Sequence, residues 1–144
     1  MRKKILIFGA NGLVGNSTKR ILAKSDYEVI ASNRSDTDLF NLDQVKNKII
    51  DSKPDIIVNA AAKVGGILAN NTYRSEFLIE NLKINMNILE ACIPYPDIKI
   101  INLGSSCIYP LNADNPIKES SIMEGKLEHT NSPYAMAKLS AIEL

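Results

Sequence analysis

The fold is decided by one segment near the start of the chain, Ile5-Leu6-Ile7-Phe8-Gly9-Ala10-Asn11-Gly12-Leu13-Val14-Gly15. It opens on a continuous apolar run, which is typical of a parallel strand buried on both faces. Glycines then recur at every third position, and beyond them apolar residues follow at helical spacing to about Lys24. The segment therefore predicts a strand, a glycine-rich turn and a helix in direct succession.

In that order the glycines have distinct roles. One allows the tight turn, one lets the backbone approach a pyrophosphate, and one lets the helix pack closely on the strand. The amino-terminal end of the helix then offers free N–H groups to the phosphates. We therefore predict a dinucleotide site at this turn, the alternative being a glycine-rich turn that binds no ligand.

Further apolar runs at 27–32, 55–59 and 98–103 predict three more strands. Helical patterns separate them: one starts at Asn41 or Asp38 and ends near Asp51, and the longest covers about 71–92. Strands that alternate with helices, without hairpin signals, predict an α/β fold with a doubly wound parallel sheet. We expect residues 1–144 to form one Rossmann-like NAD(P)-binding domain. We expect it to be incomplete, since such sheets usually have more strands.

The predicted 71–92 helix has an apolar stripe formed by Phe77, Ile84, Ile88 and Ala91. It also carries Asn81, Asn85 and Asn87. We expect these amides to satisfy backbone groups or to face water.

The end of the second predicted strand bears on the choice of cofactor. A fold that binds NAD places an acid there, against the ribose 2′-hydroxyl, but this chain has Ser32-Asn33-Arg34. An arginine without an acid suits a 2′-phosphate, which favours NADP. The alternative is a solvated loop arginine, and the nearby Asp36 and Asp38 weaken the preference.

The third and fourth predicted strands end in segments suited to a ligand. Small residues at 60–66 would let a cofactor approach the backbone, and Ser105-Ser106-Cys107 offers two hydroxyls and a thiol. Ligands bind at the carboxyl ends of strands in such sheets, so this segment is well placed for chemistry. The alternative is a serine-rich turn with a buried cysteine. The one histidine, His129, lies in the predicted loop 111–132 and is expected to be a surface residue.

Tyr134 and Lys138 are four residues apart and would share one face of a helix. A lysine charge favours the tyrosinate and lowers the pKa of the phenol, which would make Tyr134 a proton donor or acceptor near neutral pH. Taken alone the pair is weak evidence, because a half-buried tyrosine beside a solvated lysine has the same spacing.

Composition excludes several classes of partner. The formal charge is +1 and 45% of the residues are hydrophobic, without a basic stripe or an apolar run of transmembrane length. Cys92 and Cys107 lack metal-ligand spacing, so we expect no metal site and a reduced, cytoplasmic setting.

Several segments carry a closer resemblance: Ala60-Ala61-Ala62-Lys63-Val64-Gly65-Gly66-Ile67, Ala69-Asn70-Asn71-Thr72-Tyr73, Leu103-Gly104-Ser105-Ser106-Cys107-Ile108-Tyr109-Pro110 and Pro133-Tyr134-Ala135-Met136-Ala137-Lys138. With the glycine turn, the chain resembles the extended short-chain dehydrogenase/reductase superfamily and, within it, the GDP-L-fucose synthase family. The resemblance covers essentially the whole chain.

The resemblance implies NADPH-dependent 3,5-epimerisation and 4-reduction of GDP-4-keto-6-deoxy-D-mannose to GDP-L-fucose. Tyr134 would protonate the oxygen at C4 while NADPH delivers hydride to that carbon. Lys138 would bind the nicotinamide ribose, and Ser105 would hydrogen-bond the carbonyl. Cys107 would be the acid/base for C3 and C5, and Asn81 would be structural.

The resemblance also implies contacts with NADP(H) along the whole predicted site: Gly9, Ala10, Asn11, Gly12, Leu13, Val14, Gly15, Arg34, Asp38, Leu39, Ala60, Ala61, Ala62, Leu103, Gly104, Ser105, Ser106, Tyr134 and Lys138.

The chain departs from the family pattern at several points. Asn11 stands where some members have a basic residue, Arg74 replaces a common proline, and His129 does not match the family's partner histidine. Family members are also longer and include a substrate domain, so the resemblance implies that this chain is the amino-terminal part of a homodimeric enzyme, with the substrate domain absent. The alternatives are another nucleotide-sugar epimerase or dehydratase of the superfamily and a non-catalytic NADP-binding module.

Overall fold

A parallel sheet forms the centre of the structure, a computed structural model that describes residues 2–144. Its strands are β1 (Lys4–Phe8), β2 (Glu28–Ser32), β3 (Ile56–Asn59) and β4 (Lys99–Asn102). Within the described residues their spatial order is β2-β1-β3-β4, and all three pairings are parallel. The order changes direction at β1, which creates a topological switch point between β1 and β3.

The helices are α1 (Leu13–Leu22), α2 (Leu42–Ser52), α3 (Ile67–Thr72), α4 (Arg74–Cys92) and α5 (Ser132–Glu143). Short 3₁₀ turns lie at Ser106–Ile108 and Glu119–Ser121. The chain divides into two compact units. The first unit comprises residues up to Ala62 with Lys83–Leu103, and the second comprises Lys63–Leu82 with Gly104–Leu144.

In the first unit, β1 is buried on both faces. Leu6 and Phe8 belong to one apolar cluster, which also contains side chains from α2 and the second half of α4: Val45, Ile49, Ile84 and Ile88. Ile5 and Ile7 belong to a second cluster, against which Leu22 of α1 packs. Each fully buried side chain of this size contributes about 1.5–3 kcal/mol. Helices therefore cover both faces of the sheet, and the predicted doubly wound fold is confirmed.

The predicted long helix at 71–92 is divided in the structure. α3 ends at Thr72 and α4 begins at Arg74, because Tyr73 leaves the helical region with φ −105° and ψ 48°. The Tyr73 N–H still donates to the Ala69 carbonyl, and its own carbonyl accepts from Phe77. Tyr73 thus ends one helix and starts the next.

The sequence predicts either Asn41 or Asp38 as the cap of α2. The structure uses Asn41, whose side chain accepts a hydrogen bond from the Gln44 N–H.

Buried asparagine side chains tie the carboxyl end of the sheet together. Asn59 is 2% exposed, and its amide nitrogen donates to the side-chain oxygens of Asn85 (3.1 Å) and Asn102 (2.8 Å). Its oxygen accepts from the Ala61 N–H at 3.1 Å. This amide therefore links β3 to β4 and α4, and it fixes the direction in which the chain leaves β3.

The asparagines of α4 that were expected to serve the backbone do so at two positions. Asn81 accepts from the Lys63 N–H and donates to the Lys63 and Phe77 carbonyls. Asn87 donates to the Leu39 carbonyl at 2.8 Å.

α1 packs against the turn that precedes it without room for a side chain at Gly15. A Cβ there would lie 2.2 Å from the Gly9 carbonyl oxygen and 2.9 Å from the Ala10 Cα. Both contacts are with backbone, which cannot move aside as a flexible side chain could. The glycine therefore permits the close approach of α1 to the end of β1, the role that the sequence pattern predicts for one of the three.

We expect Gly15→Ala to destabilise the chain by about 1–3 kcal/mol, because an added methyl must displace backbone atoms in a packed region. Urea unfolding followed by circular dichroism measures the change. Gly104→Ala is the matched control, since a Cβ at Gly104 meets no atom within 4 Å. Equal midpoints for the two variants would contradict the packing role of Gly15.

Candidate active site

The turn after β1 depends on Gly9. Its φ is +73°, in the left-handed region, and an added Cβ would lie 2.7 Å from the Ala61 nitrogen. The Gly9 carbonyl accepts from the Gly12 N–H at 3.0 Å, which closes the turn. The chain can therefore turn sharply here only with glycine, at the switch point between β1 and β3.

The amino-terminal end of α1 is open to a ligand. Gly12 is the N-cap, and no side chain caps the helix there. Leu13 is 89% exposed and Val14 is also exposed, so neither covers the turn. The first N–H groups of a helix have no intrahelical acceptor and bind anions. This turn at the carboxyl edge of the sheet thus fits the pyrophosphate of a dinucleotide.

Arg34 lies in the turn that follows β2. It is exposed, and its guanidinium carbon lies 5.5 Å from the centroid of the Phe40 ring. Both nearby carboxylates are engaged locally: Asp36 accepts from the Asn33 N–H, and Asp38 accepts from the Phe40 N–H. The guanidinium is thus presented to solvent from a turn whose acids serve the backbone.

The other predicted cofactor residues of the first unit lie along its carboxyl edge or beside it. Ala60 and Ala61 continue from β3, with their N–H groups bonded to the Phe8 carbonyl and the Asn59 side chain. Ala62 follows them and Leu103 follows β4. Asp38 and Leu39 lie between β2 and α2, where Leu39 packs against the core.

The second unit brings together the predicted catalytic side chains. Ser105 is the N-cap of the first 3₁₀ turn, and its hydroxyl accepts from the Cys107 N–H at 3.3 Å. The same hydroxyl hydrogen-bonds to Tyr134, which lies in the first turns of α5. Cys107 and Tyr134 line one cavity of about 270 Å³ with the 64–67 segment, Asn70, Phe77 and Asn131. Gly104 and Ser106 are exposed beside this group.

The pKa of Tyr134 is raised, whereas the sequence analysis expected Lys138 to lower it. Burial of the phenol is the main cause, negative charge at Cys107 adds to it, and the Ser105 hydrogen bond opposes both. The Lys138 ammonium lies over the tyrosine ring, 5.8 Å from its centroid. The pKa of Tyr134 is thus set mainly by burial and not by the lysine, and the phenol is protonated at neutral pH.

Lys138 is not the solvated lysine of the alternative interpretation. It is only 4% exposed, and this burial lowers its pKa because the charged form is poorly solvated. A buried ammonium needs hydrogen-bond acceptors, so its position in α5 is a functional candidate with a physical basis.

Sequence reasoning missed the segment that leads into α5. The Asn131 amide nitrogen donates to the Cys107 sulfur at 3.1 Å. Arg74 donates to the His129 carbonyl at 2.6 Å and to the Ser132 hydroxyl at 3.0 Å. Arg74 had been noted only for replacing a proline, and an asparagine just before a helix would ordinarily be taken as its cap. Only the fold brings Asn131 to the cavity and Arg74 to the segment on either side of Asn131.

The remaining candidates are simpler. His129 is exposed, as predicted, and contributes its carbonyl rather than its imidazole. Cys92 lies in the core of the first unit, where burial raises its pKa to about 11.

Across residues 2–144 the structure contains no group of histidine, cysteine and acidic side chains that could hold a metal. Nor is any helix in those residues long and apolar enough to span a membrane.

Several known proteins are similar to this chain in sequence and structure. The GDP-L-fucose synthase of Sinorhizobium fredii is 42% identical over 142 residues, which cover 99% of this chain and 45% of that protein. The GDP-L-colitose synthase of Yersinia pseudotuberculosis is 38% identical, covering 98% of this chain and 46% of that protein.

Among solved structures, a GDP-L-fucose synthetase from Naegleria fowleri bound to NADP superimposes with a TM-score of 0.84 at 30% identity. The superposition covers 96% of this chain and 45% of the Naegleria fowleri chain. This chain therefore spans somewhat less than half the length of these relatives.

The profile of the NAD dependent epimerase/dehydratase family matches residues 5–144, nearly the whole chain. The resemblance inferred from the sequence motifs is confirmed by these matches, and the chain belongs to the NAD dependent epimerase/dehydratase family.

Proposed function

We propose that this chain forms part of an enzyme that epimerises GDP-4-keto-6-deoxy-D-mannose at C3 and C5 and reduces it at C4 with NADPH, giving GDP-L-fucose. The observation that carries the proposal is that Cys107 and Tyr134 line one cavity in the second unit, with the Ser105 hydroxyl hydrogen-bonded to Tyr134. The two hydroxyls suit the reduction, where they can hydrogen-bond the oxygen at C4, and the thiol suits the epimerisation, where it can act as a base. That residues 1–144 form a single cofactor-binding domain stays a prediction, as do the homodimer and the cytoplasmic setting.

Relatives support the choice of substrate class. The names of the Sinorhizobium fredii and Yersinia pseudotuberculosis proteins both refer to GDP-linked sugars. The Naegleria fowleri structure is described as bound to NADP. The motifs around Cys107 and Tyr134 favour the fucose enzyme among them.

NADP(H) would be held in the first unit by the open end of α1, through the backbone from Gly9 to Gly15, and by Arg34. The exposed turn fits its pyrophosphate, and the solvent-facing guanidinium fits its 2′-phosphate. When bound, the reduced cofactor supplies a hydride for the carbonyl carbon at C4.

Tyr134 would give its phenol proton to the oxygen at C4 as that carbon is reduced. Its raised pKa suits this role, because a donor must be protonated when the reaction occurs. Ser105, bonded to the same phenol, would hold the carbonyl in place. Lys138 places a buried positive charge against the tyrosine, which favours negative charge developing on the substrate oxygen.

Cys107 would act as the base of the epimerisation. A C–H bond next to a ketone is acidic enough for a thiolate, provided that the resulting enolate oxygen is stabilised. The Ser105 and Tyr134 hydroxyls are the donors available for that oxygen. An acid on the opposite face must then return a proton to invert the centre.

A second candidate is a related enzyme for another GDP-linked sugar, favoured by the colitose synthase relative. Product analysis separates it from the leading proposal. A non-catalytic NADP-binding module would bind the cofactor without turnover.

We expect the chain to bind NADPH more tightly than NADH, because Arg34 can donate charged hydrogen bonds to the 2′-phosphate. Such a contact contributes roughly 1.5–3 kcal/mol, which corresponds to about 10–150-fold in affinity. The chain has no tryptophan, so the emission of the reduced nicotinamide itself reports binding in a titration.

Arg34→Ala should remove most of that preference. Arg20→Ala, which removes an exposed arginine from α1, controls for net charge and should leave the preference intact. Equal affinity of the parent chain for both cofactors would contradict the role of Arg34.

We expect separate effects of Tyr134 and Cys107 in the enzyme as its gene encodes it. Tyr134→Phe should lower reduction by 100-fold or more, on the scale of a lost general acid, while deuterium uptake from solvent at C3 and C5 partly remains. Cys107→Ser should slow that uptake more than it slows reduction of substrate already epimerised. NADPH absorbance and nuclear magnetic resonance of the sugar measure the two steps.

Tyr95→Phe is the matched control, because this partly exposed tyrosine follows α4 in the first unit. It should leave both steps unchanged. If the Tyr134 and Cys107 substitutions damaged both steps equally, the separate roles would be wrong.

A further inference from the structure

Asn131 begins α5 but does not cap it. An asparagine at this position normally accepts a hydrogen bond from an N–H of the first turn. Here its side chain makes no capping bond, and its oxygen is buried without a hydrogen-bond partner. The amide nitrogen instead donates to the Cys107 sulfur at 3.1 Å. The side chain has therefore turned away from its own helix and towards the cysteine.

The backbone on the amino-terminal side of Asn131 is held by Glu128. Its carboxylate accepts from the N–H groups of Thr130 at 3.0 Å and Asn131 at 3.3 Å, and also from the Thr130 hydroxyl. These bonds lower the pKa of Glu128, so the carboxylate is charged at neutral pH. The backbone position of Asn131 is thus fixed independently of the contact between its side chain and the sulfur.

Arg74 holds the same segment from α4. Its guanidinium bonds to the His129 carbonyl and the Ser132 hydroxyl, the residues two before and one after Asn131. With Glu128 it holds the backbone of Asn131 at the position from which the side chain reaches Cys107.

Another asparagine fixes the facing part of the same cavity. Asn70 is 7% exposed, and its amide nitrogen donates to the carbonyls of Gly65 at 2.8 Å and Gly66 at 3.1 Å. Its oxygen, like that of Asn131, is buried without a partner. Two unsatisfied amide oxygens around one cavity indicate that the side chains are arranged for a purpose other than stability.

We propose that Asn131 is a positioning residue for Cys107: its amide N–H holds the sulfur at the cavity and stabilises it as a thiolate. A hydrogen bond donated to a charged group favours the charged form of that group. The purpose of the thiolate, proton removal beside the ketone, rests on the proposed function. The effect of Asn131 on the sulfur is a property of the second unit and can be measured without substrate.

The first test is alkylation of Cys107 by iodoacetamide at pH 7.5, followed by peptide mass spectrometry of this chain. Asn131→Asp and Asn131→Leu both lack the N–H donor, and both keep the sulfur covered by a side chain of similar size. We expect each to slow alkylation roughly tenfold, as one lost charge-assisted hydrogen bond implies. Cys92, buried in the core, should react slowly in every variant.

Asn71→Asp is the control, because it places the same carboxylate at an exposed position of α3. It should change the rate less than twofold. Circular dichroism confirms that the variants fold, and the two Asn131 variants differ in charge, so agreement between them isolates the donor. An alkylation rate equal to or above that of the parent chain in the Leu variant overturns the proposal.

The second test uses the enzyme as its gene encodes it, with GDP-4-keto-6-deoxy-D-mannose. Asn131→Leu should slow deuterium uptake at C3 and C5 about tenfold while KM changes less than twofold, since Asn131 acts through the sulfur. A rise in KM with an unchanged rate of uptake would assign Asn131 to substrate binding and overturn the positioning role. If the parent enzyme takes up no deuterium, the proposed function fails, and the alkylation rates still decide the role of Asn131.

Discussion

The close contact of backbone with backbone at Gly9 is the constraint on which the first unit depends. Its Cα lies against the Ala60-Ala61 peptide on one side, and its carbonyl lies where a side chain of Gly15 would be. Because no Cβ intervenes, β1 and β3 can lie side by side up to their carboxyl ends while α1 starts immediately beyond β1. Those ends and the start of α1 form the edge that can receive a dinucleotide. The packing of α1 and β3 against β1 and the binding of a dinucleotide thus both require glycine at positions 9 and 15.

Asn59 reinforces this arrangement from the other strands. Its amide satisfies two neighbouring side chains and one backbone N–H at the point where β3 becomes the Ala60-Ala61 segment. A buried amide left with unmade hydrogen bonds costs about 1–3 kcal/mol, so the network specifies one exit direction. The alanines that follow, Ala60 and Ala61, therefore lie at the switch point between β1 and β3.

Hydrophobic pattern and turn chemistry are local properties, which is why the sequence predicts the strands, the sheet class and the glycine turn. The break at Tyr73 was not predicted, since no glycine or proline marks it. The direction of the Tyr134 pKa shift was wrong because spacing along a helix reveals the neighbouring lysine but not the burial of the phenol. Asn131 was missed for a similar reason: its partner is 24 residues away, and only the folded chain decides whether it caps a helix or meets a sulfur.

Charge in the second unit is arranged so that one group affects the next. Burial raises the pKa of Tyr134 and negative charge at Cys107 would add to it, so the phenol keeps its proton at neutral pH. The phenol is therefore in the protonated state that the role proposed for it needs. Once the sulfur takes up a proton, its effect on Tyr134 disappears and the phenol gives up its own proton more readily. In an enzyme that epimerises before it reduces, this coupling would favour protonation of the C4 oxygen after proton removal by Cys107, which follows the order of the chemistry.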